Sequence, residues 1–226
     1  MSHIEIANAI FGYFDPSYNG IFVEVGAADP VDISISFLFR SLSEQKRLWS
    51  YRQAHEWVGK EPVGTWDIIS IEANPDFCQE FKKYNLPVLE YAACSDDIGE
   101  TTFQISPCPM SCSALKVRYG GPNIIEDGAG GWWPANEFKE ITVKALKLDT
   151  ILKLHRPEIN NIDVLVIDTE GWELEVLKGF DLIKFCPKVV VLENTESNPD
   201  YGAYMAENKY KLERHEHQDY FYVKDT

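Results

Sequence analysis

Short apolar runs bounded by turn residues recur along the chain and alternate with stretches of helical period, which predicts βαβ units closed over a parallel sheet. Residues 21–25 form the first run and lead into Glu24-Val25-Gly26-Ala27-Ala28-Asp29, a buried strand feeding a tight turn. A second run, 67–71, closes with Glu72-Ala73-Asn74-Pro75. Pro75 suits the first turn of a helix because its missing N–H falls where helical N–H groups have no partner. The helix predicted over 76–84 carries Phe77, Phe81 and Tyr84 on one face. Residues 88–93 predict a third strand, followed by the polar turn Cys94-Ser95-Asp96-Asp97-Ile98-Gly99 and an extended run over 101–105. The clearest buried strand is 162–167, which runs directly into Asp168-Thr169-Glu170-Gly171 and a helix bearing Leu174, Val176, Leu177 and Phe180. Residues 188–192 form the next strand and stop at Glu193-Asn194, and 210–216 with 220–224 predict a closing hairpin. The total is about seven strands.

Two stretches break the alternation inside what is expected to be one domain spanning 1–226. Residues 41–64 insert a charged helix that carries Leu48, Trp49, Tyr51 and Trp57. Residues 106–140 are rich in Gly, Pro and Trp, as in Gly128-Ala129-Gly130-Gly131-Trp132-Trp133-Pro134. A long irregular segment with this aromatic content reads either as a lid over a substrate or as a packed excursion. Tyr119, Trp132 and Trp133 accordingly read as platforms for a sugar ring or as anchors of the loop itself.

Composition narrows the partners. Twenty-one basic against 36 acidic residues give a formal charge of −15, the wrong sign for gripping a phosphate backbone, so no nucleic-acid partner is expected. No stretch approaches the roughly 18 apolar residues that span a bilayer, and the N-terminus lacks the layout of a secretory signal. The expectation is a cytoplasmic protein without a membrane span, for which a homodimer is allowed. The five cysteines are odd in number and scattered, so they read as reduced thiols. Cys108 and Cys112 lack the second ligand pair that a zinc site needs.

Ligands of an open parallel sheet sit outside the carboxyl ends of its strands. Acids cluster there: Glu24 within the first run, Glu72, Asp96, Asp168 and Glu193 after the later ones. Any one alone reads as readily as a helix cap or a solvated strand end. Together they describe an acidic rim. A dinucleotide pyrophosphate wants G-x-G-x-x-G, of which only Gly26 is present, and Pro30 stands where the next glycine belongs. A cationic sulfonium cofactor suits the rim better. Glu72 is then placed to accept hydrogen bonds from ribose hydroxyls.

The segments Phe22-Val23-Glu24-Val25-Gly26-Ala27, Ile71-Glu72-Ala73-Asn74-Pro75, Leu148-Asp149-Thr150-Ile151-Leu152 and Ile162-Asp163-Val164-Leu165-Val166-Ile167-Asp168-Thr169-Glu170-Gly171-Trp172 resemble, in order, those of the FkbM family of methyltransferases. The resemblance implies a Rossmann-like class I methyltransferase, an α/β fold whose mostly parallel seven-stranded sheet has the order 3-2-1-4-5-7-6 with the last strand antiparallel. It also implies S-adenosylmethionine as cofactor and O-methylation of a hydroxyl on a sugar, glycan or small natural product. Carried over by position, Glu24, Gly26 and Ala27 border the methionine part of the cofactor, Glu72 its ribose, and Ser95 with Asp96 its adenine edge. Ala28, Ala73 and Asn74 complete the cofactor-contacting set. The chain departs from the family in having Ala28 where Asn is common and Pro30 where Gly is common, and in a longer spacing between Gly26 and Glu72.

A hydroxyl must lose its proton to a base or to a metal that lowers its pKa. Asp168 and Glu170 are the catalytic candidates. In the implied strand order Asp168 and the pair Glu193-Asn194 end neighbouring strands, where their oxygens converge on one hard cation such as Mg²⁺. The plainer reading makes Glu193 a cap and Asp168 a partner of the cofactor or of a turn. Glu173 and Glu175 read as charges on a helix surface. His215 and His217 alternate on a predicted strand, either as a source of a base or as an exposed pair. Two other classes stand beside the methyltransferase: an NAD-binding oxidoreductase, and a methyltransferase-like module without turnover.

Overall fold

Strand β1 (Gly20–Val25) and strand β8 (Val164–Ile167) are buried on both faces and pair in parallel at the centre of the main sheet. Burial on both faces is why these two runs read as continuous apolar stretches rather than as alternating ones. The computed structural model describes residues 3–31, 33–50, 64–106, 114–115, 139–195 and 197–225, with the side chains of Trp49, Ala114 and Leu115 left out. Beyond β1 lie β2 (Trp66–Glu72) and β3 (Leu89–Glu90), and beyond β8 lie β9 (Val189–Glu193), β11 (Asp219–Lys224) and β10 (Tyr210–Glu216). Numbered within this sheet alone, the strands run 3-2-1-4-5-7-6, and β11 is antiparallel to both its neighbours.

The departure from expectation is one of detail. The third strand keeps only two residues beside β2. Tyr91 still donates to the Glu72 carbonyl at 3.1 Å, and the chain then turns away as β4 (Ala92–Cys94) to pair with β7 (Lys139–Lys147). With β5 (Gly99–Ile105) and β6 (Ala114–Leu115) these make a second, four-stranded sheet in the order β4-β7-β5-β6. Strands β5 and β7 are antiparallel from Gly99↔Ala145 to Ile105↔Lys139. The irregular stretch 106–140 therefore begins where one arm of this pair ends. Most of it, including Tyr119, Trp132, Trp133, Cys108 and Cys112, lies outside the described residues.

Side chains of a strand alternate between faces, and the helices cover each face in turn. Val23, Val25, Leu165 and Ile167 pack under α4 (Leu148–His155), α5 (Glu173–Lys178), α6 (Leu182–Phe185) and α7 (Pro199–Glu207). Phe22, Val164 and Val166 pack under α1 (His3–Phe11), a 3-10 turn (Ile35–Phe39) and α3 (Pro75–Lys83). Helix α2 (Leu42–Trp49) accounts for the start of the expected helical insertion, and 51–63 lies outside the described residues. Helix α5 ends at Lys178, earlier than expected. A Cβ on Gly179 would stand 2.0 Å from the Cys94 carbonyl oxygen, so the glycine lets the second sheet approach. Among the described residues no helix is long and apolar enough to cross a membrane.

Candidate active site

Strands β1, β2, β8 and β9 end at one edge of the sheet, and their ends surround a cleft of about 310 Å³. The first wall is the turn after β1. Gly26 adopts φ +80°, and its N–H and that of Ala27 both donate to the Ile71 carbonyl, at 3.0 and 3.2 Å. A Cβ at Gly26 would lie 1.7 Å from the Asp168 carbonyl oxygen, so only glycine permits the turn to lie across the end of β8. Ala28 is left-handed at φ +49°, a conformation that Asn adopts more readily than Ala. Its N–H donates to Glu72 Oε2 at 2.8 Å.

Nine of the expected site residues line the cleft: Glu24, Gly26, Ala27 and Ala28 from the first turn, Glu72 and Ala73 from the second, and Asp168, Glu170 and Glu193. The acids differ in what they already hold. Glu24 Oε1 accepts from the backbone of Ile35 at 2.7 Å and of Ser36 at 3.4 Å, and Oε2 accepts from Ser34 Oγ at 2.6 Å. It ties the 3-10 turn to β1. Glu72 accepts from Ala28 and, at 2.6 Å, from the Asn74 N–H, clamping two turns together. Burial pushes both carboxyls up, against the pull of these donors.

Asp168 and Glu193 differ. Glu193 Oε1 accepts from Gln218 at 2.5 Å, while Oε2 is buried with no donor other than the neighbouring Asp168 carboxyl. Burial first, then the negative charges of Glu170 and Glu173, push the Glu193 carboxyl up to about 8. The Asp168 carboxyl is raised well above its ordinary value by burial and by Glu193. Two acids this close hold a proton between them or face a cation.

Several expectations are corrected here. Asn194 does not turn to Asp168: its Oδ1 accepts from the Asn198 N–H at 2.8 Å and its Nδ2 donates to the Asn198 carbonyl at 3.1 Å, closing a local turn. Asn74 caps α3 by accepting from the Asp76 N–H at 3.0 Å, and Asp96 is exposed with Ser95 hydrogen-bonded to it, so neither Asn74 nor the Ser95-Asp96 pair lines the cleft. Glu173 and Glu175 are buried rather than on the surface. Glu173 Oε1 accepts from the Thr169 and Gly171 N–H groups at 2.7 and 3.1 Å, and Oε2 from Tyr201 of α7 at 2.7 Å, which shapes the loop where Glu170 sits at φ +56°. Of the two readings of the histidine pair the exposed one holds: both are exposed, His217 lies in the turn beyond β10, and His215 stacks on Tyr220 with ring centroids 4.2 Å apart.

The cation trio expected from sequence is likewise not assembled. Carboxylate oxygens of Asp168, Glu173 and Glu193 lie within 4.8 Å of one another, but those of Glu173 are already engaged and Asn194 is committed elsewhere.

Sequence reasoning missed several lining residues. Phe77 of α3, Tyr91 and Phe103 of β5 supply an apolar wall in place of Ser95 and Asp96, and His3 of α1 also lines the cleft. The apolar positions Ile6, Ala7, Ile10 and Phe11 were the available signal for that helix.

A cleft at the carboxyl ends of a parallel sheet, one wall acidic and one apolar, defines a small-molecule site of an α/β domain. The family model described as Methyltransferase FkbM domain matches residues 24–220, and the chain belongs to that family. It is a methyltransferase. No curated protein and no solved structure matches the chain.

Proposed function

We propose that the protein transfers the methyl group of S-adenosylmethionine to a hydroxyl of a sugar or small natural product. The observation that carries this reading is the convergence of Glu24, Glu72, Asp168 and Glu193 on one cleft, with a buried oxygen of Glu193 that has no donor other than the neighbouring Asp168 carboxyl. A cationic ligand relieves that burden, whereas a pyrophosphate worsens it. The donor set fits S-adenosylmethionine, which would supply an electrophilic methyl group on a positively charged sulfur.

The residues then divide the work. Gly26 brings backbone close to the ligand. Glu72 has lone pairs left to accept ribose hydroxyls beside its two N–H donors, since an ionised carboxylate offers about four acceptor sites. Phe77, Tyr91 and Phe103 offer flat apolar surface to a purine. Asp168 and Glu170 place negative charge beside the transferred methyl, and alignment of the nucleophile supplies much of the rate. Because the expected cation trio does not form, no step is assigned to a divalent cation. The formal charge of −15 supports an acceptor that is not an anionic polymer.

Calorimetric titration tests the reading directly. S-adenosylhomocysteine should bind and NADH should not, and Glu72→Ala should weaken binding by about 2–3 kcal/mol through lost charge-assisted hydrogen bonds. Preference for NADH, or an affinity for S-adenosylhomocysteine unmoved by Glu72→Ala, would refute it.

A further inference from the structure

Helix α1 is held to the sheet by Ile6, Ala7, Ile10 and Phe11, all buried in the same core cluster as Phe22 and Val166. His3 precedes Ile6 and Ala7 by three and four positions, on the same stripe of the helix. The helix packs against the 3-10 turn Ile35–Phe39, whose start is fixed by Glu24. His3 is thus mounted on a packed helix, and it lines the cleft together with Asp168, Glu170 and Glu193.

We infer that His3 is the catalytic base, the group that takes the proton of the acceptor hydroxyl. The inference rests on the methyl-transfer reading above and names a residue that reading left open. Among the described cleft residues the other candidates are acids. Glu24 and Glu72 already hold several donors each, and Asp168 and Glu193 are drawn toward sharing a proton. The choice falls between Glu170 and His3, and an imidazole binds protons about two units nearer neutrality than a carboxylate does. Burial lowers the His3 pKa from its ordinary value, which keeps the ring neutral and its lone pair free at neutral pH.

The charged groups facing the cleft are Glu24 of β1, Glu72 of β2, Asp168 and Glu170 after β8, and Glu193 of β9, and the chain's N-terminal ammonium acts on His3 together with burial to lower its pKa. In the step, the hydroxyl oxygen bonds to the methyl carbon while the carbon–sulfur bond breaks. The bonding pair stays on sulfur as a neutral thioether, and the hydroxyl proton passes to the imidazole and then to water.

The test is a proton-NMR pH titration of the five histidines in the full chain, with His3 assigned by the resonance missing from His3→Gln, or from His3→Asn should the first variant not fold. The titration is run with S-adenosylhomocysteine and again with sinefungin, whose ammonium stands where the methyl group would be. The His3 pKa should be about one unit lower with sinefungin than with S-adenosylhomocysteine, while those of His155, His215 and His217 stay the same. Equal His3 values in the two complexes, or a larger difference at another histidine, overturns the assignment. Failure of both ligands to bind is a separate result that overturns the methyl-donor reading and this inference together.

Discussion

The two walls of the cleft use the same side chain in opposite ways. On the β1 and β2 side, Glu24 and Glu72 gather donors from Ser34, Ile35, Ser36, Ala28 and Asn74. On the β8 and β9 side, Asp168 and Glu193 lie close together, and one oxygen of Glu193 has no donor but the Asp168 carboxyl. A buried acid surrounded by N–H groups builds a loop; a buried acid short of donors is held ready for a ligand. Position at a strand end does not separate the two roles, and hydrogen-bond satisfaction does.

The largest expected effect is at the junction between the walls. Gly26→Ala places a methyl group against the Asp168 carbonyl at a positive φ, and should lower stability by about 3–5 kcal/mol while abolishing binding of S-adenosylhomocysteine. Chemical denaturation and calorimetry read the two effects; a variant of normal stability would mean that the walls do not touch there.

Next comes a pair of substitutions with opposite signs. Glu24→Ala strands several buried donors and should cost about 3 kcal/mol. Glu193→Gln removes a carboxyl whose ionisation other acids oppose and should stabilise the ligand-free protein by about 1 kcal/mol above about pH 8, where that carboxyl is ionised. Equal destabilisation in the two variants would erase the distinction between the walls.

The pH dependence follows with its sign. The folded state holds the Glu193 proton up to about 8, above the ordinary 4.5. This contribution to stability is complete below the ordinary value and is lost as pH rises through about 8. Melting temperatures in chelator-treated buffer should therefore decline from pH 5 to about 8, and Glu193→Gln should flatten the decline. A flat profile in the parent protein would place the carboxyl in contact with water. The smallest effect belongs to Ala28→Asn, which should add about 0.5 kcal/mol because Asn tolerates the left-handed region better; a loss of stability there would mean that the turn lacks room for a longer side chain.

Much of the fold was legible because β1, β8 and β9 are sandwiched between helices and so are apolar apart from the acids Glu24 and Glu193, and because Pro75 after Asn74 announces a helix start. Strand β7 was not legible. It is exposed or half-buried at all but one position, so no hydrophobic period marks it. The buried role of Glu173 was hidden because its partner Tyr201 comes from α7, 28 residues on. Asn194 looked like a ligand until its own turn with Asn198 claimed it, and His3 carries no motif at all.

From residues alone came the parallel sheet, the family likeness and the acids at the strand ends, because periodicity and short motifs are local properties of a chain. Which of those acids are occupied, which is left short of donors, and that a histidine from the first helix joins them, only the folded chain decided. Hydrogen-bond satisfaction depends on groups brought together from distant positions, and no local pattern encodes it.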